Sequence, residues 1–407
     1  MDTIPELKRP AFARWLGTTN EVTRRFLGAG RIPGLINIAG GLPAPELYPA
    51  AELAAIARQV IEEHPEETLG YAPIEGLPDL RDALAARFST QALKLGRANV
   101  LVTASGLQGL DLIGKVLVEE GGLIAAQFPT YLGALDAWRP RQPRYRHVDL
   151  EDASLDPVAA LQGAQFAYTV PNFSNPTGKL VGLPMRRALV EAAHRTGTWL
   201  VEDDPYGGLH YDGPPLPRLI TLSGDRQPGQ VYDGPIVYMG TLSKEVVPGL
   251  RIGWMIAAPA MIEALVMAKQ GADMCTSGVT QRMALVALEG GLIERLRPVI
   301  VALYRARRDA LCAAMAEHLS DWFEWEVPVG GMFVWAVARD PALDTDRLWS
   351  IALKAGVCVS PSSVFDSTGA NRRALRLKFT LNPPDRLAEG VRRLAAALKT
   401  MADQSHD

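Results

Sequence analysis

Short apolar runs recur along the first two thirds of the chain, separated by segments in which apolar residues repeat every three or four positions. A short apolar run bounded by turn-forming residues is typical of a buried strand, and the longer repeat is typical of an amphipathic helix. The pattern predicts strands at residues 99–103, 122–128, 166–170, 198–201, 236–239 and 252–257. It predicts helices at about residues 50–64, 107–118, 156–161 and 185–196, and one that begins near Pro78. Strands that alternate with helices form a mainly parallel, doubly wound sheet, so we expect an α/β fold.

The last third of the chain departs from this alternation. A long helical pattern at about residues 293–319 is followed by a predicted strand at 325–337 and by an alternating strand pattern around Arg376. We therefore expect a large domain and a smaller α+β domain. The predicted boundaries are an N-terminal segment at 1–45, a large domain at 46–292 and a small domain at 293–407.

Composition favours a small-molecule partner. The chain has 407 residues, 48% of them hydrophobic and 21% charged, which suits a globular protein with a sizeable core. Its net charge of -3 provides no basic surface for nucleic acid or for an anionic membrane.

The sequence predicts neither a disulfide framework nor a metal site. The three cysteines, Cys275, Cys312 and Cys358, are far apart and odd in number, and the six histidines have no ligand spacing. The N-terminus lacks a signal-peptide pattern, and no charge-free window is long enough for a membrane helix. The expected compartment is the cytoplasm.

The loop between the last two predicted strands of the large domain carries the most distinctive chemistry. Thr241, Ser243, Lys244 and Arg251 lie within it. Desolvation and nearby cations lower the pKa of an amine, and a neutral amine can attack a carbonyl. A guanidinium with two hydroxyls suits a phosphate. An amine beside a phosphate site indicates pyridoxal 5′-phosphate, which has both an aldehyde and a phosphate.

Other polar or aromatic residues follow the predicted strands, at the edge where such sheets bind ligands. Gly106 begins a helix after a strand, a position where backbone amides bind anions. Tyr131 is placed to stack on a planar ring, and Asn175 lies in an Asn-Pro-Thr-Gly turn. Residues 202–204 put three acids at one strand end, which is costly without a cation, and a protonated pyridine nitrogen would supply one.

The motif Ser-Lys followed by Pro-Gly-Leu-Arg-Ile-Gly-Trp (248–254) resembles the lysine segment of fold-type I pyridoxal-phosphate enzymes. It is most similar to the class I/II aminotransferases of the 2-aminoadipate and kynurenine branch, and residues 175–178 and 330–335 match the same family. The resemblance implies the fold-type I architecture, with a small domain built from both termini. It also implies that Lys244 binds the cofactor covalently.

The resemblance assigns roles to the other residues of this edge. Asp203 would meet the pyridine nitrogen and Tyr206 the phenolic oxygen, although the spacing leaves a swap of Asp203 with Asp204 open, and Asp204 is otherwise expected to be a structural cap. The implied catalytic residues are Lys244, Asp203 and Tyr206. The implied cofactor-binding residues are Lys244, Gly106, Leu107, Tyr131, Asn175, Asp203, Tyr206, Thr241, Ser243, Arg251 and Tyr71. The usual Gly-Ser-Gln-Gln is replaced here by residues 105–108, so Gly106 and Leu107 would serve the phosphate through backbone N–H groups.

Substrate recognition is implied in the same way. The residues expected to contact the substrate are Arg376, Asn175, Gly41, Leu42 and Arg24, with Arg376 on the α-carboxylate. Tyr71 would reach the cofactor phosphate of a neighbouring subunit, which implies a homodimer with a shared active site.

Three functions follow from these residues. The first is transfer of the amino group of an L-amino acid (2-aminoadipate, aromatic or similar) to a 2-oxo acid such as 2-oxoglutarate, by a ping-pong mechanism. The second is β-elimination or oxygen-dependent oxidation with the same cofactor. The third is a ligand-sensing domain, because the branch resembles the C-terminal half of some transcription regulators. Those carry a DNA-binding domain in front, for which the stretch before Gly41 is short, so we expect an enzyme. Arg24 would suit a second substrate carboxylate, whereas Tyr131, Phe173 and Phe333 would suit an aromatic side chain.

Overall fold

The computed structural model of the chain describes residues 11–18 and 32–404. Its strands are β1 (Ile36–Asn37), β2 (Val100–Thr103), β3 (Leu123–Gln127), β4 (Arg144–Val148), β5 (Phe166–Thr169), β6 (Trp199–Asp203), β7 (Ile236–Thr241), β8 (Gly253–Ile256), β9 (Phe323–Glu324), β10 (Phe333–Ala338), β11 (Val357–Cys358), β12 (Ser360–Pro361) and β13 (Ala374–Lys378). Its α-helices are α1 (Ala50–Glu63), α2 (Pro65–Leu69), α3 (Pro78–Phe88), α4 (Gly106–Leu117), α5 (Leu132–Trp138), α6 (Pro157–Leu161), α7 (Leu183–Thr196), α8 (Leu219–Gly224), α9 (Pro259–Gln270), α10 (Gly278–Glu289), α11 (Leu292–His318), α12 (Thr345–Lys354) and α13 (Pro384–Asp403).

A seven-stranded sheet forms the centre of the molecule, in the order β2-β8-β7-β6-β5-β3-β4. The strands from β7 to β4 run parallel, whereas β8 runs antiparallel to both β7 and β2. Along β7, Ile236 and Tyr238 pack into one apolar cluster, and Val237 and Met239 pack into another. Both faces of the sheet are therefore covered, as the predicted doubly wound α/β fold requires.

A second sheet follows the large one, in the order β12-β13-β10-β9, with all of its pairs antiparallel. The N-terminal segment joins this region, because β1 pairs in parallel with β11 through Ile36 and Val357. The segment after β1 crosses to the second sheet, where the carbonyl of Ile38 accepts a hydrogen bond from the N–H of Lys378. Residues from both ends of the chain thus lie together, while the domain boundaries at 45 and 292 stay a prediction.

The predicted strand at 325–337 is wrong over most of its length. The structure has β9 at 323–324 and β10 at 333–338, with irregular backbone between them. Pro328 cannot donate to a ladder, and Gly331 has a φ of +76°, which extended backbone does not allow. The other predicted strands and helices are present, with ends shifted by no more than a few residues.

Candidate functional site

Lys244 lies in the loop that follows β7, at the carboxyl edge of the parallel strands. Its Nζ donates a hydrogen bond of 2.7 Å to the carbonyl of Gly41. Burial, together with the charges of Arg376 and Arg251, lowers the pKa of this amine from its usual value to about 8. A substantial fraction of the amine is therefore neutral near physiological pH, as a nucleophile requires.

The hydroxyls before Lys244 and the arginine after it shape the loop. Thr241 Oγ1 donates to the carbonyl of Ile252 at 2.9 Å and also contacts Ser243 Oγ at 3.0 Å. Arg251 has a φ of +53°, a left-handed conformation that side chains rarely adopt, and its guanidinium is exposed. This conformation returns the chain into β8 and leaves the guanidinium facing outward from the same edge of the sheet.

The N-terminus of α4 lies beside this loop. Ser105 precedes the helix with a φ of +101°, and the side chain of Gln108 accepts a hydrogen bond of 2.7 Å from the N–H of Ala104. A Cβ at Gly253 of β8 would lie 2.8 Å from the nitrogen of Gly106. The close approach of β8 thus brings the first N–H groups of α4, those of Gly106 and Leu107, to the Arg251 side of the edge.

The three acids at the carboxyl end of β6, residues 202–204, have three different environments. Asp203 accepts a hydrogen bond of 2.8 Å from the hydroxyl of Tyr168, and burial raises the pKa of its carboxyl to about 7. Asp204 accepts from Asn172 at 2.8 Å and from Tyr238 at 3.2 Å. Among the residues that the structure describes, Asp204 therefore has several hydrogen-bond donors, whereas Asp203 has one.

The expectation that Asp204 is a structural cap is corrected in part. It is structural, but it binds side chains, including Arg218 at 3.6 Å. The capping acid is Glu202, whose two carboxylate oxygens accept from the N–H groups of Leu219 and Ile220 at 2.8 and 3.0 Å, at the start of α8. Alternation along the strand explains this, because residues 202 and 204 share one face of the sheet and Asp203 lies on the other.

Asn175 and Tyr206 lie on the Asp203 side of the sheet. Asn175 Nδ2 donates to the Tyr206 hydroxyl at 3.4 Å, and Tyr206 packs edge-on against Phe333 with ring centroids 5.9 Å apart. Tyr131 precedes α5, and a Cβ at Gly133 would lie 2.5 Å from its ring. Burial raises the pKa of Tyr131 to about 12, and the nearby charge of Asp203 is the second largest cause. Tyr131 and Asp203 therefore lie in the same part of the site.

Arg376 reaches this group from the small sheet. Its Nη1 donates to Asn175 Oδ1 at 2.6 Å, and its Nη2 donates to the carbonyl of Ala39 at 2.7 Å. The guanidinium lies over the ring of Phe333 and over that of Phe365, 4.4 and 4.6 Å from the centroids. Burial lowers its pKa to about 10. Both faces of β13 are buried, so Arg376 is not on a solvent face.

The remaining predicted residues vary in position. Gly41 is adjacent to the site, and a Cβ there would lie 3.1 Å from the ring of Phe333. Leu42 is 47% exposed and Tyr71 is 85% exposed. Arg24 lies outside the described residues.

Phe173 is not placed to line a substrate pocket. Its side chain is fully buried, and Cβ atoms at Gly330 and Gly331 would lie 2.2 Å from its ring and 2.4 Å from its own Cβ, respectively. It therefore packs against the start of the small sheet. Phe333, in contrast, contacts Arg376 and Tyr206 and belongs to the site.

The sequence reasoning missed Lys378 and Tyr168. Lys378 is fully buried two residues after Arg376, and its amine has no hydrogen-bond partner in the described part of the chain. A lysine in an otherwise apolar, alternating strand was the signal that could have identified it. Tyr168 gave no signal of its own, because an apolar strand commonly contains a buried tyrosine.

Within residues 11–18 and 32–404, no three or more histidine, cysteine or acidic side chains are grouped so that they could hold a metal ion. None of the helices in these ranges has the length and apolar character needed to cross a membrane.

Several known proteins that are similar to this chain over nearly its whole length are aminotransferases. The sequence model of the aminotransferase class I and II family matches residues 46–394. Aromatic-amino-acid aminotransferase 1 of Thermococcus litoralis is 34% identical over 94% of this chain and 93% of its own length. The 2-aminoadipate transaminase of Thermus thermophilus is 36% identical, with 96% of each chain covered.

A solved structure has the same overall fold. The α-aminoadipate aminotransferase LysN of Thermus thermophilus, complexed with N-(5′-phosphopyridoxyl)-L-leucine, superposes with a TM-score of 0.87 at 34% identity. The superposition covers 97% of this chain and 98% of that protein.

Proposed function

Because the chain belongs to the aminotransferase class I and II family, we propose that it uses pyridoxal 5′-phosphate to move the amino group of an L-amino acid to a 2-oxo acid. The observation that carries the proposal is that three groups come together at the carboxyl edge of the large sheet, one of them from the small sheet. These are a partly buried amine with its pKa lowered to about 8 (Lys244), a buried carboxyl with few donors (Asp203) and a buried guanidinium (Arg376).

The residues present fit this cofactor. The Asp203 carboxyl is buried and accepts one hydrogen bond within residues 11–18 and 32–404, from Tyr168, and a protonated ring nitrogen would supply the missing positive partner. The exposed guanidinium of Arg251, the Thr241 and Ser243 hydroxyls and the N-terminus of α4 provide donors for a dianionic phosphate. Lys244 would hold the aldehyde carbon between these two ends.

The protein groups would divide the work as follows. When bound, the cofactor supplies an electron sink that weakens the Cα–H bond of the amino acid. Arg376 and Asn175 would hold the α-carboxylate and so orient the Cα–H bond for cleavage. Once the substrate amine has replaced the Lys244 amine on the aldehyde carbon, the freed Lys244 amine would remove the proton from Cα and deliver it to that carbon. Asp203 would hold a proton on the ring nitrogen, and Tyr206 and Asn175 would donate to the phenolic oxygen.

The ring and the substrate would be covered by neighbouring segments. Tyr131 would stack on the ring, while Gly41 and Leu42 would cover the substrate from the segment that accepts the Lys244 hydrogen bond. Arg24 is proposed to act on the substrate side. The exposed hydroxyl of Tyr71 would reach the phosphate in a second subunit, so the functional unit is a homodimer.

The proposed donors are 2-aminoadipate and aromatic amino acids, with 2-oxoglutarate as acceptor, because the similar enzymes are named for those donors. The reaction is proposed to follow ping-pong kinetics in the cytoplasm, with residues 1–45 and 293–407 forming the small domain.

A panel of amino donors tests the proposal. The enzyme loaded with pyridoxal 5′-phosphate is given each donor with and without 2-oxoglutarate, and the products are separated by chromatography. The proposal predicts that a 2-oxo acid and glutamate form over many turnovers only when the acceptor is present, that at most one equivalent of 2-oxo acid per subunit forms without it, and that double-reciprocal plots are parallel. Ammonia, pyruvate or peroxide formed without an acceptor would instead indicate elimination or oxidation.

A further inference from the structure

Lys378 is a buried lysine whose amine has no counterpart among the described residues. Its side chain is 0% exposed, and Nζ lacks a hydrogen-bond partner among residues 11–18 and 32–404. The other fully buried lysine, Lys269, donates a hydrogen bond of 2.8 Å to Asp273. An unpaired buried ammonium is costly, so the position of Lys378 calls for an explanation that Lys269 does not need.

Lys378 and Arg376 lie on the same face of β13, because residues two apart in a strand point to the same side. The Nε of Arg376 is also buried without a partner. Two donors without a partner among the described residues therefore belong to side chains on one face of β13, and Arg376 contacts Asn175 and Phe333.

The segment at residues 38–42 covers this face. The carbonyl of Ile38 accepts from the N–H of Lys378 at 2.8 Å, and that of Ala39 accepts from Arg376 at 2.7 Å. The carbonyl of Leu42 accepts from Thr380 Oγ1 at 2.7 Å. The Lys244 amine donates to the next carbonyl of the same segment, that of Gly41. Lys378 thus lies under the segment proposed to cover the substrate.

The charges around Lys378 are positive. Burial is the main cause that lowers its pKa well below the usual value, and the charges of Arg376 and Lys244 lower it further. The thiol of Cys358 is the one neighbour with an opposing effect, and burial raises the pKa of that thiol to about 11. An anion with two oxygens would complement such a site, since it can accept from both unused donors.

We propose that Lys378 is a substrate-recognition residue which, together with Arg376, binds the carboxylate of the amino acid and of the 2-oxo acid. The inference rests on the proposed function, which supplies the class of anion. It adds a second donor to the arginine implied by the family resemblance. The amine gains a counter-ion when the carboxylate enters, so Lys378 contributes to ground-state binding of either substrate and does not transfer a proton at Cα.

Binding of an unreactive acid tests this role without turnover. The affinity of 3-phenylpropionate, which has a carboxylate and no amine, and of the neutral 3-phenylpropionamide is measured by titration calorimetry on the cofactor-loaded enzyme. Lys378→Met is expected to bind the acid at least about tenfold more weakly and the amide as tightly as before, because a charge-assisted hydrogen bond is lost. Lys269→Met is the matched control and is expected to bind both as the unmodified enzyme does.

Steady-state kinetics give a second readout. In Lys378→Met, KM for the amino acid and KM for the 2-oxo acid are expected to rise by a similar factor, with kcat changed by less than about threefold. This result is expected when a lost contact stabilises the ground state and the transition state equally. If Lys378→Met does not fold, Lys378→Gln is measured in its place.

Unchanged affinity for the acid, or equal loss for the acid and the amide, would overturn the proposal in favour of a packing role. Failure of the unmodified enzyme to transfer amino groups would refute the proposed function separately, since the binding comparison needs no turnover.

Discussion

Asp203 and Asp204 are neighbours in sequence with opposite surroundings. Asp203 shares a face with Tyr168, whereas Asp204 is bound by Asn172 and Tyr238 on the other face. The spacing of the motif left the choice between them open, and the alternation of β6 now supports Asp203 as the partner of the ring nitrogen. The environment of each acid depends on elements distant in sequence, such as α8. The local sequence therefore could not predict which acid has many hydrogen-bond donors and which has few.

The two aspartates give a paired prediction. Asp203→Asn should lower kcat by roughly 10²-fold or more, because a neutral amide cannot hold a proton on the ring nitrogen by charge. Asp204→Asn should cost about 1–3 kcal/mol of unfolding free energy, because buried donors lose an anionic acceptor. Each variant is examined by steady-state kinetics and by denaturant unfolding. A catalytic loss confined to Asp204→Asn would reverse the assignment.

At the scale of elements, the longest regular patterns that were predicted are present in the structure, whereas the helices α12 and α13 were not predicted. The helix at 292–318 and the strands around Lys244 have long, regular patterns, and the structure confirms them. The edge strand β4 was missed, because its sequence Arg-Tyr-Arg-His-Val is polar and its outer edge is unpaired in the sheet order. The strand predicted before β10 is absent, because the backbone there is irregular and packs around Phe173.

The turn after β5 joins the large sheet to the small one. Gly178 in the Asn-Pro-Thr-Gly turn has a φ of +71°, and a Cβ there would lie 2.5 Å from the carbonyl oxygen of Phe333. The turn also carries Asn175, which accepts a hydrogen bond from Arg376. A glycine at 178 therefore allows the two sheets to approach closely enough for Asn175 and Arg376 to meet.

Alanine at position 178 should disturb both stability and substrate binding. Gly163 is the matched control, because its φ is +74° and a Cβ there would meet no atom within 4 Å. Gly163→Ala should cost about 1 kcal/mol from backbone conformation alone. Gly178→Ala should lower the free energy of unfolding by on the order of 3 kcal/mol or more and should raise KM. The reason is that a collision with the carbonyl oxygen of Phe333 adds to the backbone strain. Equal losses in denaturant unfolding would show that the contact with Phe333 is unimportant.

At the scale of the whole molecule, the proposed site depends on segments distant in sequence. Lys244, after a strand of the large sheet, donates to the carbonyl of Gly41, and Arg376 of the small sheet donates to the carbonyl of Ala39 in the same N-terminal segment. An open cleft of about 960 Å³ lies between the two sheets near the Asn-Pro-Thr-Gly turn. Lys179 lines this cleft and forms ion pairs with Glu151 and Glu326, one on each side. The family resemblance predicted the grouping of the site residues, whereas composition and periodicity alone gave only the sheet edge.

The role of Tyr71 is tested by hybrid dimers. Tyr71→Phe and Lys244→Ala subunits with different tags are produced together, and the mixed dimer is isolated. If Tyr71 serves the neighbouring subunit, the single remaining Lys244 meets an intact Tyr71, and activity should be about half that of the unmodified dimer. The Tyr71→Phe dimer should itself be impaired, and activity equal to that of the unmodified dimer would mean that the tyrosine serves no site. Hybrid activity of only half that of an impaired Tyr71→Phe dimer would mean that the tyrosine serves its own subunit.

The central claim is that the amine of Lys244 binds the cofactor covalently. The most direct measurement is peptide mass spectrometry of the pyridoxal-phosphate-loaded protein after reduction with borohydride. We predict a phosphopyridoxyl group on the peptide that contains Lys244, in an amount that matches the bound cofactor. A fully loaded protein with the group on another lysine, or with no group at position 244, would contradict the account.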